Sequence, residues 1–212
     1  RIIMSKYFTE ADYENSLLEL FEDMGYDYKY GPNIERDFYS PLYQDVLEES
    51  IRKLNPTLPY DAIKEALFKL TNFENAELVQ KNAVFMDYLQ NGIEVKHNED
   101  GRPKTALVRL INYDDPLQNQ FKVCNQWTVV EHEKIRCDLV VFVNGLPLVV
   151  IELKSPTREE TDEEAAYLQI KQYQQKCPTL FVYNAFSVTS DMLTSKAGTI
   201  TSKANRYMDW KS

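Results

Sequence analysis

Arg136-Cys-Asp-Leu-Val-Val-Phe-Val-Asn-Gly-Leu-Pro-Leu-Val-Val-Ile-Glu-Leu-Lys-Ser155 reads as a β-hairpin whose arms are covered on both faces. The arms, Leu139 to Val143 and Leu148 to Ile151, are wholly apolar, as strands buried on both sides are. Asn144-Gly145 marks the turn. Three charged groups interrupt this pattern: Asp138 on the first arm, Glu152 and Lys154 at the end of the second. Buried strands keep acids and a lysine rarely, unless the groups pair or hold a cation.

Register decides whether these groups meet. A strict two-residue turn on Asn144-Gly145 would pair Asp138 with Ile151 and send the two acids to opposite faces. A longer loop, or an equivalent bulge, shifts the pairing by one and sets Asp138 opposite Glu152. Directly opposed Cβ atoms lie about 4.5–5.5 Å apart, close enough to share one cation. Lys154 then falls on the face of Glu152, because side chains alternate with period two. The spacing therefore predicts the longer loop or the bulge.

Those residue types suit phosphodiester hydrolysis. Two carboxylates, Asp138 and Glu152, bind a hard cation such as Mg²⁺, which keeps several of its waters. The ion polarises a phosphate and activates a water for in-line attack. The backbone carbonyl of Leu153 is a further candidate ligand, and Lys154 a candidate to hold the water or neutralise charge on the phosphate. A Glu-x-Lys pair alone is commonly structural. The upstream Asp138, the apolar hairpin and Pro156 closing the strand favour catalysis.

A helix is predicted from about Asp162 to Gln175, with Thr161-Asp-Glu-Glu164 as a capping box and Pro178 as the stop. Gln169 and Tyr173 are one turn apart on it and project from one face, able to hydrogen-bond a nucleotide or a carboxylate.

Asp138, Glu152-Leu-Lys154 and Gln169-Ile-Lys-Gln-Tyr173 together resemble the PD-(D/E)xK nuclease superfamily, in its RecB-like branch with a Gln-x-x-x-Tyr motif. The whole chain resembles the N-terminal domain of the R (HsdR) subunit of type I restriction enzymes. Matching segments are Phe8-Thr-Glu10, Leu54-Asn-Pro56 with Leu58-Pro59, Asn125-Gln126, Val143 to Lys154, Tyr183-Asn184 and Ser190-Asp191. The superfamily's proline is replaced by Cys137. The resemblance implies Asp138, Glu152, Lys154, Gln169 and Tyr173 as catalytic residues, and Mg²⁺ (or Mn²⁺ in its place) on Asp138, Glu152 and the Leu153 carbonyl. Glu14 is a possible support, since such nucleases often offer an acid from their first helix. It also implies double-stranded DNA as substrate and modification and specificity subunits as partners. ATP would be used only by motor domains of the same polypeptide. The expected activity is that of a type I site-specific deoxyribonuclease. The alternative is a degenerate nuclease fold kept to dock motor or partner subunits.

No Gly-x-x-x-x-Gly-Lys-Ser/Thr loop is present, so ATP binding of that kind lies outside this chain. Together with Arg1 in place of Met, this predicts a fragment of a longer polypeptide. Its 212 residues suit a single nuclease domain, helical over about 8–92, with the catalytic sheet and motif helix over about 93–212. Cys124, Cys137 and Cys177 show neither metal-ligand spacing nor a paired framework, and no apolar run approaches a membrane span; a cytoplasmic setting is expected. The net charge of −9 argues against strong DNA binding by this chain alone. Binding is expected to be delegated to the motor and partner subunits; the alternative is that a few bases on one face, Lys171, Lys196, Lys203 and Arg206, guide the strand.

Upstream, helices are predicted at Glu10 to Met24, Tyr39 to Leu54, Tyr60 to Leu70 and Asn75 to Gln90. The period then becomes alternating, with strands at Gly92 to Lys96, Lys104 to Asn112 and Gln120 to Val130. Further strands are expected near Asn184 to Thr189 and Lys196 to Thr201. The fold class is α/β: a PD-(D/E)xK restriction-endonuclease-like core, with a mixed central sheet flanked by helices.

Overall fold

A computed structural model describes residues 9–154, 161–191 and 194–209, with the side chains of 161–163 outside that description. Pro156, the capping side chain of Thr161 and the tail at Trp210 therefore lie outside the described residues. Helices α1 (Glu10–Asp23), α2 (Gln44–Leu54), α3 (Tyr60–Thr71) and α4 (Leu78–Asn91) precede most of the sheet. Strands are β1 (Asp27–Tyr30), β2 (Ile93–Glu99), β3 (Arg102–Val108), β4 (Phe121–Val130), β5 (Lys134–Val143) and β6 (Leu146–Leu153). Helices α5 (Thr161–Lys176) and α6 (Pro178–Val182) follow, then β7 (Phe186–Ser190), β8 (Ser195–Gly198) and β9 (Met208–Asp209).

Among the described residues, seven strands form one mixed sheet in the order β1-β4-β5-β6-β7-β8-β9, and β2 pairs with β3 separately. β1 runs parallel to β4 and β7 parallel to β6, while β4, β5 and β6 form an antiparallel meander. The mixed α/β architecture agrees with the sequence expectation. Several elements differ from it: α4 starts at Leu78 and not Asn75, β3 ends at Val108 and not Asn112, β9 has no counterpart in it, and three more have a readable cause. The helix expected from Tyr39 begins at Gln44; Pro41 disfavours the α region for Ser40 and so blocks a start before it. Asp27–Tyr30 is a strand the sequence expectation omits: Tyr26-Asp-Tyr-Lys-Tyr30 does alternate, but the run is short and mostly exposed. Pro178 ends α5 but also opens α6, where its missing N–H costs nothing.

Both faces of the sheet are covered. Leu139, Val141, Ile151 and Leu153 pack with Leu18, Leu17, Tyr13 and Phe21 of α1. Val140, Phe142 and Val150 pack with Ile170 and Tyr173 of α5 and with Leu180 and Phe181 of α6. This two-sided burial is the physical reason the hairpin arms carry uninterrupted apolar runs. A third cluster gathers α2, α3 and α4 around Ile51, Ile63, Phe85 and Ile93, and reaches Leu146 at the foot of β6.

The hairpin combines a tight turn with a bulge. Val143 pairs with Leu146, so the loop is Asn144-Gly145 alone, with φ of 53° and 79°. Positive φ at both positions is the conformation whose twist matches the flanking strands. Phe142 then pairs with Pro147 but Val141 with Val149, which leaves Leu148 as an extra residue in β6. Pro147 is tolerated there because a bulge frees it from donating to the ladder. The Leu148 carbonyl is not orphaned: the Ala185 amide donates to it at 2.8 Å.

The turn itself is locked from three sides. Asn144 exchanges two bonds with Gln120 (2.8 and 2.7 Å), and its side-chain amide donates to the Leu110 carbonyl and to Asn119 at 2.9 Å each. The Tyr43 amide donates to the Gly145 carbonyl at 3.0 Å, seating the start of α2 on the turn. A Cβ on Gly145 would lie 2.5 Å from the Leu47 nitrogen and 2.6 Å from the Tyr43 carbonyl oxygen. Gly145→Ala combines this clash with left-handed strain. It is expected to destabilise the chain by about 1–3 kcal/mol, read as a lower denaturation midpoint with an unchanged slope.

Candidate active site

The bulge brings the acids together. Leu139 pairs with Ile151, and continuing that register sets Asp138 across from Glu152. Glu152 alternates with Ile151 and Leu153, which pack under α1, so its side chain turns to the face carrying α5. It is 1% exposed. Asp138 is half-buried, and its Oδ2 accepts from the Leu153 amide at 2.8 Å. Leu153 thus touches the site through its N–H, in addition to the carbonyl considered as a ligand.

Lys154 closes the group. Its Nζ donates to Glu152 Oε1 at 3.0 Å and to Gln169 Oε1 at 3.0 Å. Gln169 Nε2 donates to the Tyr173 hydroxyl at 2.7 Å, which donates in turn to the Arg136 carbonyl at 3.0 Å. Gln169 and Tyr173 are therefore turned inward. They form a chain of polar contacts from the backbone of β5 to the lysine. The i, i+4 spacing identified the shared face, but contact with Lys154 depends on how α5 lies across β6.

Electrostatically the site is strained toward holding a cation. Burial, and then the neighbouring Asp138, push the Glu152 carboxyl well above the usual range, with Lys154 opposing. Burial also raises Asp138, its bond from the Leu153 amide opposes this, and the charges of Glu10, then Glu14, add to the rise. Glu152 Oε1 is taken by Lys154, while buried Oε2 has no donor and can be satisfied within the protein only by a proton shared with Asp138. A buried carboxylate oxygen without a donor is costly. A hard divalent cation would satisfy it and offset the mutual repulsion, so the donor set fits Mg²⁺ or Mn²⁺. Among the described residues, no three acids, histidines or cysteines converge into a ready metal cage.

Glu14 comes from α1, which begins at Thr9 with a capping box closed by Asp12. Its Oε1 accepts from Asn125 Nδ2 at 2.7 Å and its Oε2 from Gln126 Nε2 at 3.0 Å. The one visible signal for this contact is a polar Asn-Gln pair inside the otherwise largely apolar β4. The candidate guide bases fare differently. Lys171 Nζ donates to the Ile200 carbonyl at 2.7 Å, so it serves the fold. Lys196 lines a small cleft with Lys154, Thr189 and Ser190, while Lys203 and Arg206 are exposed.

Residues 7–206 match the family described as the type I restriction enzyme R protein N terminus. This chain belongs to that family. Among similar curated proteins, the type I restriction enzyme HindI endonuclease subunit of Haemophilus influenzae is 32% identical over 212 residues, covering 95% of this chain and 20% of the relative. A Methanocaldococcus jannaschii protein carrying the name of the MjaIXP type I restriction enzyme endonuclease subunit is 31% identical over 208 residues, covering 93% and 20%. The chain thus spans about a fifth of the length of these relatives. Among the described residues, no helix is long and apolar enough to cross a membrane.

Tyr173 sits at the end of the chain of contacts. Burial holds its hydroxyl neutral, with a pKa raised far above the usual phenol value. Tyr173→Phe leaves the Arg136 carbonyl and the Gln169 amide each short of a partner. The expected cost is about 1–3 kcal/mol in chemical denaturation, with the apolar packing of the ring retained.

Proposed function

We propose that this chain is the Mg²⁺-dependent DNA endonuclease unit of a type I restriction enzyme R subunit, with the helical segment and the sheet acting as one nuclease domain. The observation that carries the reading is the slipped hairpin register, which sets Asp138 opposite Glu152 with Lys154 bonded to the latter. Asp138 and Glu152, with the Leu153 carbonyl, would hold Mg²⁺, and Mn²⁺ would substitute. When bound, the cation supplies charge to the scissile phosphate and acidity to a water.

The chain's own residues do the rest. The Leu153 amide fixes Asp138, so one oxygen is oriented before any ligand arrives. Gln169 and Tyr173 restrain Lys154, a flexible side chain that would otherwise lose several rotamers on each encounter with substrate. Its ammonium is then positioned to steady the attacking water or the charge growing on the phosphate. Glu14, beyond the pair, would support waters retained by the cation. A docking relic has no use for a buried carboxylate with an unsatisfied oxygen, so the enzymatic reading is favoured over a scaffold role.

In the complete subunit, double-stranded DNA would be fed to this site by ATP-driven motor domains elsewhere in the longer polypeptide. Modification and specificity subunits would supply target recognition, in the cytoplasm. The net charge of −9 fits this division, since a domain that need not grip DNA alone can remain acidic.

The test compares wild type with Lys154→Ala in the full-length subunit assembled with its partners, following ATP hydrolysis and cleavage of circular DNA in Mg²⁺. Cleavage is expected to fall by at least about 10²-fold while ATP hydrolysis persists. Cleavage at the wild-type rate sinks the assignment. Independently, Mg²⁺ is expected to raise the melting temperature of the wild-type chain by binding the folded state. Asp138→Ala and Glu152→Gln are expected to melt at the same temperature with or without the ion.

A further inference from the structure

Gln126 occupies the position opposite Asp138 in the β4–β5 ladder. Asn125 pairs with Leu139 and Trp127 with Cys137, but the ladder lapses between them. There Gln126 adopts φ of 53°, a left-handed conformation inside a strand that glycine takes at far lower cost. The strain is held by its surroundings. β1 ends at Tyr30 opposite Asn125, and the following Gly31 lies against the distorted peptide. A Cβ on Gly31 would be 2.5 Å from the Asn125 carbonyl oxygen and 3.0 Å from that of Gln126.

The distortion delivers two side-chain amides to one carboxylate. Asn125 Nδ2 and Gln126 Nε2 each donate to a different oxygen of Glu14, at 2.7 and 3.0 Å. The Tyr28 hydroxyl donates to Asn125 Oδ1 at 3.0 Å, which orients the amide with its N–H groups toward Glu14. Asn125 itself is buried. On the other side, Tyr13, the residue before Glu14, shares a 2.6 Å bond with Ser190, whose carbonyl accepts from the Lys154 amide at 2.9 Å. Glu14 is thus tied to β4 through its own carboxylate, and its neighbour is tied to β7 at the residue that accepts from the Lys154 amide.

We propose that Asn125 and Gln126 are positioning residues, an amide clamp that holds Glu14 as a third carboxylate beside the Asp138–Glu152 cation site. The inference rests on the nuclease reading above and goes beyond it by giving a role to a strained residue. The clamp explains why a glutamine is kept where glycine would relax the backbone: its amide reaches Glu14. Glu14 would act through waters that a bound cation retains and not as a direct ligand.

The test is a double-mutant cycle on the full chain, read as Mn²⁺ affinity by electron paramagnetic resonance and as melting temperature without metal. Glu14→Gln and Gln126→Gly are each expected to weaken Mn²⁺ binding by about 10–100-fold, while Gln126→Gly melts at or above the wild-type temperature. In the Glu14→Gln background, Gln126→Gly is expected to cause no further loss. Equal further loss in both backgrounds would mean that Gln126 does not act through Glu14, and unchanged affinity in Gln126→Gly would overturn the clamp outright. Asp138→Ala separates the two levels. If it abolishes Mn²⁺ binding while Gln126→Gly leaves it intact, the clamp fails and the cation site stands. If Asp138→Ala also binds as wild type does, the cation site fails and takes the clamp with it.

Discussion

The ladder between β5 and β6 slips by one residue at Leu148, and the meeting of Asp138 with the Glu152–Lys154 pair follows from that slip. Without the extra residue, the tight Asn144-Gly145 turn would send Asp138 and Glu152 to opposite faces of a sheet buried on both sides. Asp138 would then be cut off from both Glu152 and Lys154, a buried acid without their company, while the Glu152–Lys154 pair would remain on the other face. The bulge is secured on one side by the Ala185 amide at the Leu148 carbonyl and on the other by the Asn144 network and the seat of α2 on Gly145. Scaffold residues far from the acids therefore set their geometry.

What the register assembles is unfavourable in isolation. Two half- to fully buried acids face each other, one oxygen of Glu152 is left without a donor, and Lys154 neutralises only part of the charge. Such a cluster is the arrangement expected where structure has been given up for chemistry. The polar chain from the Arg136 carbonyl through Tyr173 and Gln169 to Lys154 fits the same logic, since it restrains the one flexible group in the site. The left-handed Gln126 opposite Asp138 is a second departure from regular geometry beside the same carboxylates.

Acidic surface and acidic site are separate matters. The chain's negative balance bears on how strongly it can attract a polyanion. On the proposed function, the buried carboxylates would bear on what happens to a phosphate once it has been delivered. A domain that spans a fifth of its relatives' length can leave the first task to the remainder and keep the second.

By itself the sequence determined the mixed α/β class, the buried hairpin, the candidate acids and lysine, and the requirement for a one-residue shift. These follow from local periodicity and from the cost of burying charge, both of which can be read along the chain. The helix boundaries at Pro41 and Pro178 were less legible, because a proline can end one helix or begin another according to what surrounds it. Only the tertiary structure decided how the shift is achieved, as a bulge at Leu148 combined with a tight turn. It alone showed that Gln169 and Tyr173 face inward, and that Asn125 and Gln126 grip Glu14 across more than a hundred residues. The physical reason is that a hydrogen bond between distant elements depends on how helices lie across the sheet. That is settled by packing on both its faces, and no single segment carries the information.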